Sequence, residues 1–187
     1  MSASGTTRRR ALVIASAGAA AAAVPGSAPR AAVDKDLQTK LERAATGSAT
    51  YGEQTKMVAF EAIANGRLLG PHETATLRLL TDHATQHANL LGMLMKDELG
   101  VDPPLAPKRV AIPGLLSLRD SASALRFALD LEERAIGRNV AAVRVVHDAQ
   151  VLKAIAGIVG SDGEHLVLLR QLLHEDPVPS AFEGGKR

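Results

Sequence analysis

The stretch that decides the fold is IAGIVGSDGEHLVLLRQL, residues 155–172. Its apolar residues recur every three or four positions, which is the period of an α-helix with one buried face. Asp162 and His165 lie on that same face. Because side chains three residues apart on a helix reach the same point, this stretch predicts a polar site inside an apolar core.

The composition of the 187-residue chain indicates an all-α fold. Alanine and leucine, which are good helix formers, supply most of the apolar content, and aromatic residues are few. The β-branched runs typical of strands are rare. The length suits one domain with a sizeable core. The chain has no cysteine, which excludes disulfides and cysteine-ligated zinc or iron–sulfur sites.

Proline and glycine divide the chain into four predicted helices. Asp34 is expected to cap the first, Gly66 to end it, and Pro71 to begin the second. The helices are expected at about 34–65, 71–100, 121–147 and 149–174. Short loops within each half predict antiparallel hairpins, and a proline-rich connection of roughly 20 residues joins them. We therefore expect an antiparallel four-helix bundle with one long crossover between helices 2 and 3, the connectivity of ferritin-like proteins.

Residues 1–33 have the pattern of an export signal and are kept out of the fold. Arg8, Arg9 and Arg10 precede an apolar run over residues 11–24, which is shorter than the ~20 residues of a membrane span. This predicts a twin-arginine-type signal, with an ordinary secretory signal or a disordered tail as alternatives. The predicted location is periplasmic, envelope or extracellular, with membrane contact only through an uncleaved leader. The predicted domains are the leader 1–33, the bundle 34–176 and the tail 177–187.

The basic character of the chain belongs to this leader. The chain has 22 basic and 20 acidic residues, but residues 1–33 hold four arginines and no acid. The remaining chain therefore carries slightly more acidic than basic residues. Since no basic patch is evident there, nucleic acid is not an expected partner.

Each of the other helices also places a polar residue on its apolar face. His87 lies among the leucines of helix 2, Glu132 lies on the stripe of helix 3, and Glu53 lies on that of helix 1. The same stripes predict that Leu90 and Val143 are buried. A lone buried carboxylate costs several kcal/mol or becomes neutral. These acids and histidines therefore need each other, or a metal cation, as partners.

The spacing of these residues repeats between the two halves of the chain. Glu53 and His87 are 34 residues apart, and Glu132 and His165 are 33 apart. Each hairpin thus offers a carboxylate from its first helix and a histidine from its second. The repetition indicates an internal duplication.

Residues 53–183 resemble the bacterial ferritin-like domain proteins, which are often exported and sometimes called desiccation-related. The resemblance covers about 70% of the chain, and its last two stretches are the most specific. The matching stretches are EQ at 53–54, FE at 60–61, HATQH at 83–87, ALRF at 124–127, LE at 131–132, DGEHLVLLR at 162–170 and DPVPSAFE at 176–183.

The resemblance implies a di-metal carboxylate site, with one glutamate from the first helix of each hairpin and a Glu-x-x-His motif from the second. Ala84 stands where the sixth ligand, a bridging glutamate, belongs, so the site is partly degenerate. His83 is the candidate replacement, and the alternative is that it is a half-exposed partner of Asp82 or of a backbone group. By position, the metal ligands are Glu53, His87, Glu132, Asp162 and His165.

Two functions remain open at this stage. Oxygen and nitrogen ligands suit one or two iron or manganese ions, with zinc also compatible, and the resemblance implies oxidase or peroxide-type chemistry. The alternative is a metal-free, non-enzymatic bundle that protects the envelope under stress or binds a partner, with the acids and histidines forming a buried ionic network. A homodimer is compatible with both, and whether the protein is an enzyme is left open.

Replacing both Arg8 and Arg9 with lysine is expected to stop export, because the twin-arginine route reads the arginine pair as an address. The measurement is the fraction of the chain found outside the cytoplasm, with Arg30→Lys as the matched control. Undiminished export of the double variant would contradict the leader prediction.

Overall fold

The structure, a computed structural model, describes residues 35–180 and 185–186. Within these residues the fold is an all-α four-helix bundle without strands, as the sequence predicts. The predicted leader and the Asp34 cap lie outside the described residues. The helices are α1 (Lys35–Ala64), α2 (Pro71–Asp97), α3 (Ser121–Val143) and α4 (Ala149–Leu172), and two 3₁₀ turns, Arg109–Ala111 and Leu115–Ser117, lie in the crossover.

The helices begin where side chains satisfy the free amides of the first turn. The Glu73 carboxylate accepts a hydrogen bond from the Gly70 amide at the start of α2. Asp120 accepts one from the Ser123 amide at the start of α3. Asp148 accepts bonds from the first-turn amides of α4, the earliest of them from Gln150. Such caps stabilise a helix by about 1 kcal/mol each and fix where it starts.

Two helices end earlier than the sequence predicts. Helix α2 ends at Asp97 rather than near residue 100, and the chain then turns through Gly100, whose φ is 62°. Helix α3 ends at Val143 rather than near 147, because a turn precedes the Asp148 cap of α4. Glycine adopts a positive φ without steric cost, which suits it to the residue after a helix.

The helices pack in the cyclic order α1–α2–α4–α3. The hairpins α1/α2 and α3/α4 lie side by side, and the crossover returns the chain between them. None of the described helices combines the length and apolar character needed to cross a membrane.

The core consists of two apolar clusters with a polar layer between them along the bundle. The first contains Phe60 and Leu169, and the second contains Leu91 and Ile155. On α4 the polar residues that separate the two clusters follow Ile158 and precede Leu169. The polar layer therefore lies in the interior of the bundle and away from its ends.

Two residues predicted to be buried are exposed. Leu90 is 38% exposed because it lies at the edge of the α2 stripe, whereas Leu91 beside it is fully buried. Val143 is 41% exposed because it is the last residue of α3 and extends past the core. The prediction that these two side chains are buried was therefore wrong.

Candidate functional site

The structure brings together the five residues proposed from the sequence. Glu53 on α1, Glu132 on α3, and Asp162 and His165 on α4 are buried, and His87 on α2 is half-buried. Nδ1 of His87 lies 3.2 Å from Oε2 of Glu53, and Nδ1 of His165 lies 3.0 Å from Oε1 of Glu132. Each carboxylate thus meets the histidine that the repeated spacing assigned to it.

A lysine that the sequence analysis missed occupies the centre of the group. The Lys56 side chain is 1% exposed, and its Nζ donates to Oε2 of Glu132 at 2.8 Å and to Oδ1 of Asp162 at 2.7 Å. The same Nζ lies 2.9 Å from Oε2 of Glu53. Charge-assisted hydrogen bonds of this length are among the strongest in proteins. We call Lys56 and these three carboxylates the lysine cluster.

The sequence did contain a signal for Lys56. It follows Glu53 by three residues and precedes Phe60 by four, which places it on the buried face of α1. A lysine on an apolar stripe usually extends its amine to solvent, so the position alone did not assign it to the site. Its partners on α3 and α4 lie 76 and 106 residues away in the chain.

Asn139 and His83 complete the surroundings of the lysine cluster. Nδ2 of Asn139 lies 3.5 Å from Oε1 of Glu53 and from Oδ2 of Asp162, both long distances for a hydrogen bond. Nδ1 of His83 lies 2.8 Å from Nε2 of His165. In the tautomer whose Nδ1 donates to Glu132, Nε2 of His165 is the acceptor for Nδ1 of His83. His83 therefore bonds to His165, and no hydrogen bond to Asp82 is present among the described residues.

Burial and neighbouring charges act in opposite directions on the pKa values of the lysine cluster. Burial alone would lower the pKa of Lys56, but the charges of Glu132, Glu53 and Asp162 raise it above its ordinary range. Burial opposes ionisation of Glu53, yet the Lys56 ammonium and His87 hold its pKa below the usual value. Lys56 is therefore charged at neutral pH, and so is the Glu53 carboxylate.

Asp162 differs from the two glutamates. Burial, together with the charges of Glu53 and Glu132, raises the pKa of Asp162 to about 8, against the attraction of Lys56. Asp162 therefore carries a proton at neutral pH and accepts from Lys56 as a neutral carboxyl group. The proton and the ammonium together offset most of the negative charge that the cluster would otherwise hold.

Two overlapping groups of side chains have donor atoms close enough to hold a metal ion. In each group the donor atoms lie within 4.8 Å of one another, and Asp162 belongs to both. Their oxygens and nitrogens are of the types that iron, manganese and zinc accept. The groups are Glu53, His87 and Asp162, and Glu132, Asp162 and His165.

The position of Lys56 does not fit a metal pair in these groups. Its ammonium contacts one oxygen of each carboxylate, and a metal cation at the same point would meet a like charge at close range. Ala84, fully buried, offers no ligand atom where the resemblance would place a bridging glutamate. A metal ion can use this donor set only if the Lys56 amine moves away or loses its proton.

Glu61 and the remaining histidines lie outside the site. Glu61 is exposed, and so are His72, His147 and His174 near helix ends. Gly160 and Gly163 flank Asp162 in α4, but no atom of a neighbouring described residue lies within 4 Å of an added Cβ at either one. Helix packing therefore does not explain these two glycines.

Comparisons with known proteins identify the fold alone. No family model matches the chain, and no curated protein matches it. A crystal structure of a conserved hypothetical protein, rv2844, from Mycobacterium tuberculosis is similar, with a TM-score of 0.64 and 16% sequence identity. The similarity covers 78% of this chain and 99% of that chain.

Replacing Lys56 with methionine is expected to lower the free energy of unfolding by ~3–5 kcal/mol, because it leaves buried carboxylates without their cation. Urea denaturation at neutral pH measures the change, and Lys40→Met, at an exposed position of the same helix, is the control. A loss no larger than that of the control would show that the three contacts contribute no stability.

The raised pKa of Asp162 predicts a pH dependence of stability. The folded state holds this proton up to about pH 8 and the unfolded state only to about 3.8, so this group's contribution is present at acid pH and is lost as the pH rises between them. Asp162→Asn imitates the protonated form and is expected to remove this loss. Denaturation of both proteins across the range measures the difference, and a constant difference would show that Asp162 is ionised in the fold.

Proposed function

We propose that this protein is a metal-independent helical bundle in which the Lys56 ammonium takes the place that metal ions hold in carboxylate-rich bundle sites. In this proposal the protein works by binding a partner or ligand and not as an oxidase. The observation that carries it is the placement of one ammonium 2.7–2.9 Å from three carboxylates of three helices.

The chemistry of the central cation supports this assignment. An ammonium neutralises carboxylates and fixes their positions, but it has no accessible redox states and no open coordination position for oxygen or peroxide. Lys56 Nζ also contacts one oxygen of each of the three carboxylates, so these oxygens already have a cationic partner. The cluster therefore supports a role in holding the four helices together.

The arrangement of the cluster suggests what it contributes to the bundle. Glu53 and Lys56 come from α1, Glu132 from α3, and Asp162 from α4, while His87 joins it from α2. These groups pair with one another in only one register of the helices. A shift of one helix along its axis would separate them and leave buried charges unpaired. We infer that the cluster selects one register of the four helices, which is the best-supported role of buried polar networks.

The predicted leader over residues 1–33 indicates where the protein acts. The Arg8–Arg9 pair favours export by the twin-arginine route, which carries folded proteins. A bundle whose centre is completed by its own lysine needs no cofactor before export. We therefore propose a role in the cell envelope, such as protection under stress or capture of a partner.

A second candidate function is metal binding, and the two donor groups that share Asp162 favour it. In that case Lys56 leaves the centre when the ion enters. Glu53, Glu132 and Asp162 would hold and neutralise the ion, and the histidines would fix its position. Bound iron or manganese would supply redox chemistry toward oxygen or peroxide, and zinc would supply Lewis acidity.

Metal addition separates the two candidates. A tightly bound metal ion must raise the melting temperature of the protein. We expect the melting temperature of the wild-type protein to stay unchanged in manganese, ferrous iron under anaerobic conditions, or zinc, because Lys56 occupies the site. Lys56→Ala is expected to gain a metal-dependent rise, which the further change Glu132→Ala should remove. Metal analysis of purified wild-type protein is the second measurement. One or more ions per chain, lost in Glu132→Ala and in His165→Ala, would establish the second candidate.

A further inference from the structure

A cavity lies on the face of the bundle opposite the pair α2 and α4, between α1, the crossover and α3. Its volume is about 200 Å³. Its apolar wall includes Ile112 and Leu131, both buried, and the ring of Phe127. Tyr51 and Thr55 on α1 and Arg138 on α3 form its polar side. We call this cavity the Arg138 groove.

Among the residues that the structure describes, the charged groups around the groove pair with one another except for one guanidinium. Nη2 of Arg134 lies 2.8 Å from Oδ2 of Asp130, so that arginine is neutralised. Asp130 also forms an ion pair with Lys186, and Lys186 forms a second ion pair with Glu133. Arg138 is half-buried and has no hydrogen bond or ion pair with any residue in the described part of the chain. Within residues 35–180 and 185–186, the positive charge of Arg138 at the groove therefore has no ionic partner.

The backbone of α1 accommodates Arg138 at a glycine. Nη1 of Arg138 lies 3.1 Å from the point that a Cβ of Gly52 would occupy, so the guanidinium rests against the helix backbone there. Glycine in the middle of a helix is destabilising relative to alanine. Helix α1 thus has a helix-weakening residue at the place where the Arg138 guanidinium lies.

We propose that the Arg138 groove binds a small amphipathic anion, whose carboxylate or phosphate pairs with Arg138 and whose apolar body packs against Ile112, Phe127 and Leu131. A guanidinium matches both kinds of anionic group because its planar donors bind two oxygens at once. An apolar wall with a few polar groups is typical of small-molecule sites. This inference goes beyond the proposed function and does not depend on whether metal binds at the lysine cluster.

The test is isothermal titration of the full chain with three probes of similar apolar size: hexanoate, hexyl phosphate and hexanol. The wild-type protein is expected to bind one or both anions and to bind hexanol much more weakly. The two anionic probes distinguish a carboxylate ligand from a phosphate ligand. Absence of binding by both anions, or equal binding of hexanol, would overturn the proposal.

Variants identify the residue that carries the binding. Arg138→Gln is expected to weaken anion binding about tenfold or more, because it removes a charged hydrogen-bond donor. Arg126→Gln, an exposed position on the same helix, is the control and should bind as the wild type does. Equal anion affinity in Arg138→Gln and the wild type would overturn the assignment to this groove.

Gly52→Ala supplies a readout that a purely structural role of Arg138 would not give. The added methyl group displaces the guanidinium, so anion binding is expected to weaken while the resistance to urea rises, because alanine favours the helix. Unchanged anion binding in this variant would contradict the placement of the anion at Nη1 of Arg138.

Discussion

The structure depends on one buried cation, the ammonium of Lys56. Three carboxylates from three helices face the interior of the bundle, where isolated charges are not tolerated. The ammonium neutralises them, and the proton on Asp162 lowers the remaining charge. Without this cation the buried carboxylates in the polar layer between the two apolar clusters would lack a counter-charge, and the folded state would be destabilised.

The number of charges explains how a lysine can complete a site of this shape. Four carboxylates and two histidines suit two divalent ions. Here Ala84 removes one carboxylate, and the raised pKa of Asp162 neutralises a second near neutral pH. Glu53 and Glu132 remain, and the Lys56 ammonium contacts both of them at the centre of the site. Ala84, which offers no carboxylate, and Lys56, which supplies a positive charge, therefore both lower the need for a metal cation at this point.

Much of the fold could be predicted from the sequence because helical periodicity is local. The spacing in residues 155–172 identified α4, and the repeated distance between carboxylate and histidine identified which residues meet across each hairpin. Burial at the edges of the apolar stripes was predicted wrongly for Leu90 and Val143, because burial there depends on the neighbouring helices.

The central cation could not be predicted in the same way. Lys56 lies on the correct face of α1, but a lysine there is compatible with a solvent-exposed amine, and its partners are far away in the chain. The close approach of Arg138 to Gly52 is likewise visible only after α1 and α3 pack together. The repeated spacing in the sequence identified the carboxylate and histidine pairs. Lys56 and Arg138 belong to no repeat, so only the packing of the helices shows where they lie.

A crystal structure of the protein grown in manganese, with anomalous diffraction data, would show whether an ammonium or a metal ion occupies the centre of the lysine cluster. We expect electron density for the Lys56 ammonium within hydrogen-bonding distance of Glu53, Glu132 and Asp162, and no anomalous peak between them. An anomalous peak at that point, with the Lys56 side chain turned away, would contradict it.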